Sequence, residues 1–337
     1  MKKRLPVLLV ILALFLSACD LLPDAGEKPR EISEQSVWAM DTQMDLRLYG
    51  DTDGSCMAKL TALLNELDRK LSATDPDSAL SALNGSGRSE DPHILRLCAE
   101  ALTVSEQTGG ALDVTLLPVS RAWGFTTERQ AVPEAALLEG LRDRVGMDRI
   151  TVSDAALTLS AGTELDFGAL AKGYAADLCR AEMEAAGRSG ILSLGGNIQT
   201  VGTKPDGSDW IVGVQDPADP GRYVLTLRLR GAKAVVSSGD YQRYFMQDGV
   251  RYCHILDPKT LAPVRGSLRA VTVAADSGLR ADALSTALFV LGREAGTAFW
   301  REQGGFEALW IESDGRIWIT PGLKDAVVEG SYEVIAP

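Results

Sequence analysis

Histidine is nearly absent from this sequence: only His93 and His254 occur, and the five cysteines form no CxxC pair. Without a Cys/His cluster, a zinc site is not expected. Past the N-terminus no apolar run approaches the roughly 20 residues that a membrane-spanning helix needs. Positive charge is also short, with 34 Lys and Arg against 46 Asp and Glu and a net charge of −12. Nucleic-acid binding, which wants a basic face, is therefore excluded. A phosphate-bearing ligand would need local compensation from a metal, a lysine or backbone N–H groups. Internal repeats and low-complexity tracts are missing as well.

What the N-terminus has is specific. Lys2, Lys3 and Arg4 precede an uncharged apolar run over residues 5–16, and Leu16-Ser17-Ala18-Cys19 closes it. The run is too short to span a bilayer and reads as a signal-peptide core. Small residues before Cys19 resemble a lipobox, in which cleavage leaves that cysteine as an acylated N-terminus; two or more acyl chains anchor stably where one does not. Residues 1–18 are then a lipoprotein signal peptide and 19–36, polar with two prolines, a lipidated tether. Residues 37–337 form the folded part, in an extracytoplasmic location at the cell membrane. Removing three basic residues with the signal leaves 31 against 46 acidic, or −15. Cys56, Cys98, Cys179 and Cys253 are widely spaced; export permits disulfides, but a domain this large does not need them.

Leu60, Leu63, Leu64, Leu67 and Leu71 recur at helical spacing and predict an amphipathic helix over residues 56–71. Further helices are expected at 93–108, 168–186, 282–291 and 293–303. Strands are expected at 40–49, 150–152, 191–194, 210–214, 224–229, 234–237, 270–274 and 308–311. Strands outnumber helices and neighbours look hairpin-connected, which predicts an α+β fold with mixed, largely antiparallel sheets and packed helices.

Four segments carry candidate chemistry. In residues 164–174 a carboxylate, Asp166, precedes a small-residue turn opening a helix, with Lys172 close behind. That is an anion site, or an N-cap aspartate beside a solvated lysine. Gly195-Gly196-Asn197 lets backbone approach a ligand, or is a plain tight turn. The third segment runs Ser237-Ser238-Gly239-Asp240-Tyr241, then His254-Ile255-Leu256-Asp257-Pro258; its His254 suits general-base work on a hydroxyl, or is structural. Asp282 and Thr286 are four apart, so a helix puts carboxylate and hydroxyl on one face, with Ser285 beside them. That hard-oxygen set suits Mg²⁺; otherwise Asp282 caps and Thr286 bonds back to a carbonyl.

The ordered set of these and other segments resembles the FAD:protein FMN transferases, the ApbE-type flavin transferases. It runs from Ala39-Met40-Asp41-Thr42 through Ser78 to Asn84, residues 108–115, Pro118 and Trp123-Gly124-Phe125. Asp166 to Asp177, Gly195-Gly196-Asn197, Ser238-Gly239-Asp240, His254 to Pro258 and Asp282 to Thr286 follow in family order. The resemblance implies an ApbE-like, T-fold-related architecture and a Mg²⁺-dependent transfer of FMN from FAD to a threonine or serine hydroxyl, with AMP leaving. By position it implies FAD contacts at Met40, Ala111, Leu112, Asp113, Asp166, Lys172 and Ile255. Metal ligation falls on Ala169 (through its carbonyl), Asp282 and Thr286, with Ser285 adjacent, and acceptor activation on His254. The implied partner is a flavin-carrying subunit of a membrane redox complex. Two other activities share such a site, FAD pyrophosphatase and tethered flavin binding without chemistry. Some positions depart from the pattern. Asp41 and Leu261 stand where glycine is common, Thr74 where an aromatic often lies, and Ser237 where threonine is common.

Overall fold

The computed structural model describes residues 31–127, 129–153 and 155–336; Cys19, the signal peptide and most of the tether lie outside them. Within residue 31 onward, a nine-stranded sheet organises the chain. Its order is Ile32–Ala39, Thr42–Tyr49, Ser189–Leu194, Asn197–Val201, Lys233–Gly239, Leu268–Ala275, Glu307–Glu312, Ile317–Ile319 and Glu333–Val334. Every neighbouring pair is antiparallel except the last.

Alternation decides which way the strands face. In Thr42–Tyr49, Met44, Leu46 and Leu48 are buried and Gln43 and Asp45 are not, the period of two expected of a half-covered strand. Each such aliphatic contributes about 1.5–3 kcal/mol on burial. The covered face meets three helices, Ser55–Leu71, Ala171–Ala185 and Gly278–Gln303, in one core. The first carries the leucine spacing expected of it, with Leu60, Leu64, Leu67 and Leu71 buried. On the other face, Trp210–Gln215 and Tyr223–Leu229 pair as the expected hairpin and pack Trp210, Val212 and Leu227 against Leu309 and Ile319. A third, smaller core of Val119, Trp123, Phe125, Leu256 and Leu261 lies under the hairpin Tyr244–Gln247/Val250–Cys253.

Four expectations change. The first strand begins at Ile32, so residues 32–36, expected as tether, are edge strand; Val37 and Ala39 are the residues it buries. The stretch expected as one strand over 40–49 is a turn followed by a strand, because Met40 and Asp41 have φ of 51° and 58° and close the hairpin between the first two strands. Two successive left-handed residues are what a tight hairpin turn of the right twist requires, and aspartate tolerates that region where most residues do not. The helix expected from residue 168 begins at Ala171. The helices expected at 282–291 and 293–303 are continuous but for Gly292, whose φ of 76° breaks the helical path.

The four cysteines among the described residues are free and buried. Burial pushes the Cys179 thiol up to about 12.

Candidate active site

The turns and strand ends at one end of the central sheet bring distant segments together. The Met40-Asp41 turn abuts the Gly195-Gly196 turn so closely that a Cβ on Gly195 would lie 2.6 Å from Thr42 Cγ2. Gly195 N–H donates to Gln43 C=O at 3.2 Å. Asn197 starts the next strand, and Ser238 lies at the same end of the strand beyond it. Met40 is fixed by its own N–H, which donates to Asp68 Oδ1 at 2.7 Å.

The helix Gly278–Gln303 delivers Asp282, Ser285 and Thr286 to this end. Asp282 is 4% exposed, and its Oδ2 accepts the Gly173 N–H at 2.8 Å. Burial raises its carboxyl above the ordinary range, opposed by the Lys172 charge, the Gly173 N–H and the Asn197 amide. The Asn197 amide faces Asp282 without closing a full hydrogen bond, which leaves its Nδ2 buried and unpartnered. Ser285 is fully buried; its hydroxyl donates to Asp282 C=O at 2.8 Å and meets Ser238 Oγ at 2.7 Å. Ser238 Oγ is also 3.2 Å from Thr286 Oγ1. Thr286, unlike Ser285, retains solvent access. Thr286 is thus the hydroxyl that stays open, beside the buried Asp282 carboxylate, and Ser285 and Ser238 brace the pair.

The helix Ala171–Ala185 supplies the opposite wall. The turn before it is held by Asp166, whose Oδ1 accepts Gly168 N–H at 2.8 Å, and by Leu170 and Ala171 N–H bonding to Phe167 C=O. Ala169 is half-buried in that turn, four residues before Gly173. Lys172 makes only a long contact, 3.5 Å, to Gly168 C=O, and its charge reaches both Asp282 and His254. Asn84 clamps Leu165 from both sides, accepting its N–H at 2.7 Å and donating to its C=O at 3.0 Å. Asp166 N–H in turn donates to Val114 C=O at 2.9 Å, which ties residues 111–115 to the same wall. Asp113 accepts from Thr115 N–H and Oγ1 at 2.8 and 2.6 Å, and burial raises its pKa. Ala111, Leu112 and Ile255 are 5%, 2% and 6% exposed, so they can close a wall but offer little side-chain surface.

His254 follows the Val250–Cys253 strand and is partly open to solvent. Its Nδ1 lies 3.2 Å from Arg243 C=O. A carbonyl can only accept, so Nδ1 carries the proton and Nε2 keeps its lone pair. Burial, the Arg243 charge and the Lys172 charge lower its pKa to about 4, against the pull of the Arg243 carbonyl. The ring is neutral at physiological pH, a base oriented by backbone. Among the described residues, no group of three or more His, Cys, Asp or Glu side chains could hold a metal. A cation here would rely on one carboxylate with hydroxyl and carbonyl oxygens.

Sequence reasoning named most of this ensemble but left out of the site Ser238, Asn197, Gly173 and Arg243. Ser238 and Asn197 sit inside matched segments and were within reach. Gly173 acts through its backbone N–H and Arg243 through its carbonyl as well as its charge, and neither residue's spacing in the chain points to the site. The close helix crossing gives one test. A Cβ on Gly173 would fall 2.1 Å from Gly278 C=O and 2.6 Å from Asp282 Cβ. Gly173→Ala must therefore part the two helices, at about 1–3 kcal/mol or more. Urea denaturation should show that loss; an unchanged midpoint would mean the helices do not cross this closely in solution.

Comparison with known proteins bears on the family and the fold. The model of the ApbE family matches residues 40–310. A Treponema pallidum protein named FAD:protein FMN transferase is 36% identical over 296 residues, 81% of this chain and 81% of its own. A Vibrio cholerae protein of the same name is 33% identical, covering 83% of this chain and 87% of its own. The crystal structure of the ApbE protein of Thermotoga maritima superposes with a TM-score of 0.83 at 29% identity, over 89% of this chain and all of that one. The fold, the order of its motifs and these relatives agree: the chain belongs to the ApbE family.

Proposed function

We propose that this chain is an FAD:protein FMN transferase, moving the FMN half of FAD onto a hydroxyl of an acceptor flavoprotein. The acceptor oxygen attacks the FMN-side phosphorus, the bond to the AMP phosphate oxygen breaks, and AMP leaves with that electron pair. The attacking hydroxyl's proton goes to Nε2 of His254. The observation that carries this reading is the convergence, at one sheet end, of a buried carboxylate, an open hydroxyl, a loosely held lysine and a neutral histidine.

FAD brings a pyrophosphate to a protein of net charge −12. Lys172 and the first turn of the Ala171–Ala185 helix offer positive potential to it. Met40, Ala111, Leu112, Asp113, Asp166 and Ile255 would line the rest of the nucleotide site. Asp282, Thr286 and the Ala169 carbonyl would hold Mg²⁺, with Ser285 as support. A carboxylate destabilised by burial and a nearby hydroxyl suit a hard divalent cation, whose charge would relieve the one and use the other. When bound, that ion would neutralise pyrophosphate charge, worth several kcal/mol in the transition state. The acceptor residue would be a threonine or serine in a subunit of a membrane redox complex. Acylated Cys19 would hold the enzyme beside it, outside the cytoplasm.

Incubation with FAD, Mg²⁺ and candidate acceptor subunits should give a flavin-fluorescent acceptor band in a denaturing gel. Steady AMP release with water, faster than any transfer, would instead make the chain an FAD pyrophosphatase. Binding of FAD without turnover in either assay would make it a tethered flavin carrier.

A further inference from the structure

The helix that bears Asp282 crosses the Ala171–Ala185 helix where two glycines meet. A Cβ on Gly278 would lie 2.6 Å from Gly173 C=O, and the reverse contact is closer still. At that contact the two glycines meet backbone to backbone, so neither offers a side chain of its own to fix the axial position of the helices. Register nevertheless matters. A slip of one residue turns a helix by about 100° and moves it about 1.5 Å, enough to carry the Asp282 carboxylate off the Gly173 N–H.

Asp177 supplies the missing restraint. It lies one turn beyond Gly173, and therefore on the same helix face. Its Oδ1 accepts the Gly278 N–H at 2.7 Å, and its Oδ2 accepts the Leu279 N–H at 3.0 Å and the Ser277 hydroxyl at 2.8 Å. Gly278 and Leu279 carry first-turn donors that have no partner within their own helix. Ser277, so held, caps the same helix by accepting the Arg280 N–H at 3.2 Å. Arg180 lies 3.6 Å from Asp177 Oδ1, and its Nη1 also donates to Asp276 C=O just before the cap. One face of one helix thus grips its partner twice: Asp177 holds the end, and Gly173 N–H holds the carboxylate one turn further on.

We propose that Asp177 is a positioning residue for the cation site, setting divalent-metal affinity by fixing the register of the Asp282 helix. This rests on the reading that Asp282 and Thr286 hold a metal. Supporting partners of ligand-bearing groups are typically worth roughly 10- to 100-fold in metal affinity.

The test is Mn²⁺ binding to the full chain without FAD, read from the free-ion electron paramagnetic resonance signal. Wild type is compared with Asp177→Asn, which keeps the shape but turns one acceptor oxygen into a donor facing Leu279 N–H or Ser277. Its Mn²⁺ dissociation constant should rise at least tenfold, while circular dichroism stays native and FAD binding without metal is unchanged. Ser277→Ala, which removes one donor, should give a smaller rise in the same direction. An unchanged Mn²⁺ constant in folded Asp177→Asn overturns the proposal and leaves the metal site standing. If Asp177→Asn does not fold, Ser277→Ala decides the matter, and an unshifted constant there counts against it. Wild type that binds no Mn²⁺ overturns the metal reading itself, and this inference with it.

Discussion

Asp282→Ala is expected to lower FMN transfer by about three orders of magnitude or more, the loss that follows when several kcal/mol of charge stabilisation on the pyrophosphate are removed. The variant also strands the Gly173 N–H and leaves the Lys172 charge without its buried counterpart. Asp282→Asn separates the two effects, since its amide oxygen can still accept from Gly173 while the charge is gone. Single-turnover AMP release measures both variants. Activity within tenfold of wild type in Asp282→Asn would remove the carboxylate from the mechanism.

The same substitution should move stability the other way. Burial raises the Asp282 pKa above its unfolded value. A raised carboxyl binds its proton more tightly in the folded state, so its favourable contribution is complete below the unfolded pKa. That contribution is lost as pH rises through the folded one. At neutral pH the buried carboxyl therefore weighs against folding unless a cation offsets it. Asp282→Asn should melt higher than wild type in chelator at pH 7, and added Mg²⁺ should raise the melting temperature of wild type alone. A buried, destabilising carboxylate retained at the centre of the site is what a functional requirement looks like.

Local periodicity made much of this legible in advance. The leucine spacing of the Ser55–Leu71 helix, the Trp210–Gln215/Tyr223–Leu229 hairpin and the break at Gly292 all follow from neighbours in the chain. The nine-stranded sheet was less accessible, because its order pairs Thr42–Tyr49 with Ser189–Leu194, and no local pattern encodes a partner so distant. Residues 32–36 read as tether because all but Ile32 are polar, as an edge strand can be. In the site, the four-residue spacing of Asp282 and Thr286 was readable from helix geometry. That Ser285 braces rather than faces outward depends on Ser238, 47 residues away. The departures from family pattern gain meaning too. Asp41 and Leu261, which stand where glycine is common, both have positive φ, at 58° and 55°. At Leu261 the unfavourable backbone is held by a side chain buried beside Trp123, whose indole N–H donates to Leu261 C=O at 2.9 Å.

His254→Ala should cut transfer by about 10²- to 10⁴-fold, the usual range for a general base, with FAD affinity nearly unchanged. The expectation follows from the tautomer. Because Nδ1 donates to Arg243 C=O, Nε2 is the free base, and alanine removes it without touching Asp166, Lys172 or Asp282. The pH profile makes a sharper test. With the pKa held to about 4, kcat/KM should rise through an acid limb near that value and stay flat across neutrality, where an unperturbed histidine would give a limb near 6.5. Bound FAD sets its phosphate charge against those of Lys172 and Arg243, so the limb in kcat should lie at higher pH than the limb in kcat/KM. His254→Gln should abolish both limbs while leaving a slow, pH-independent transfer. A profile for His254→Gln that keeps the wild-type acid limb would assign the titration, and the base, to another residue.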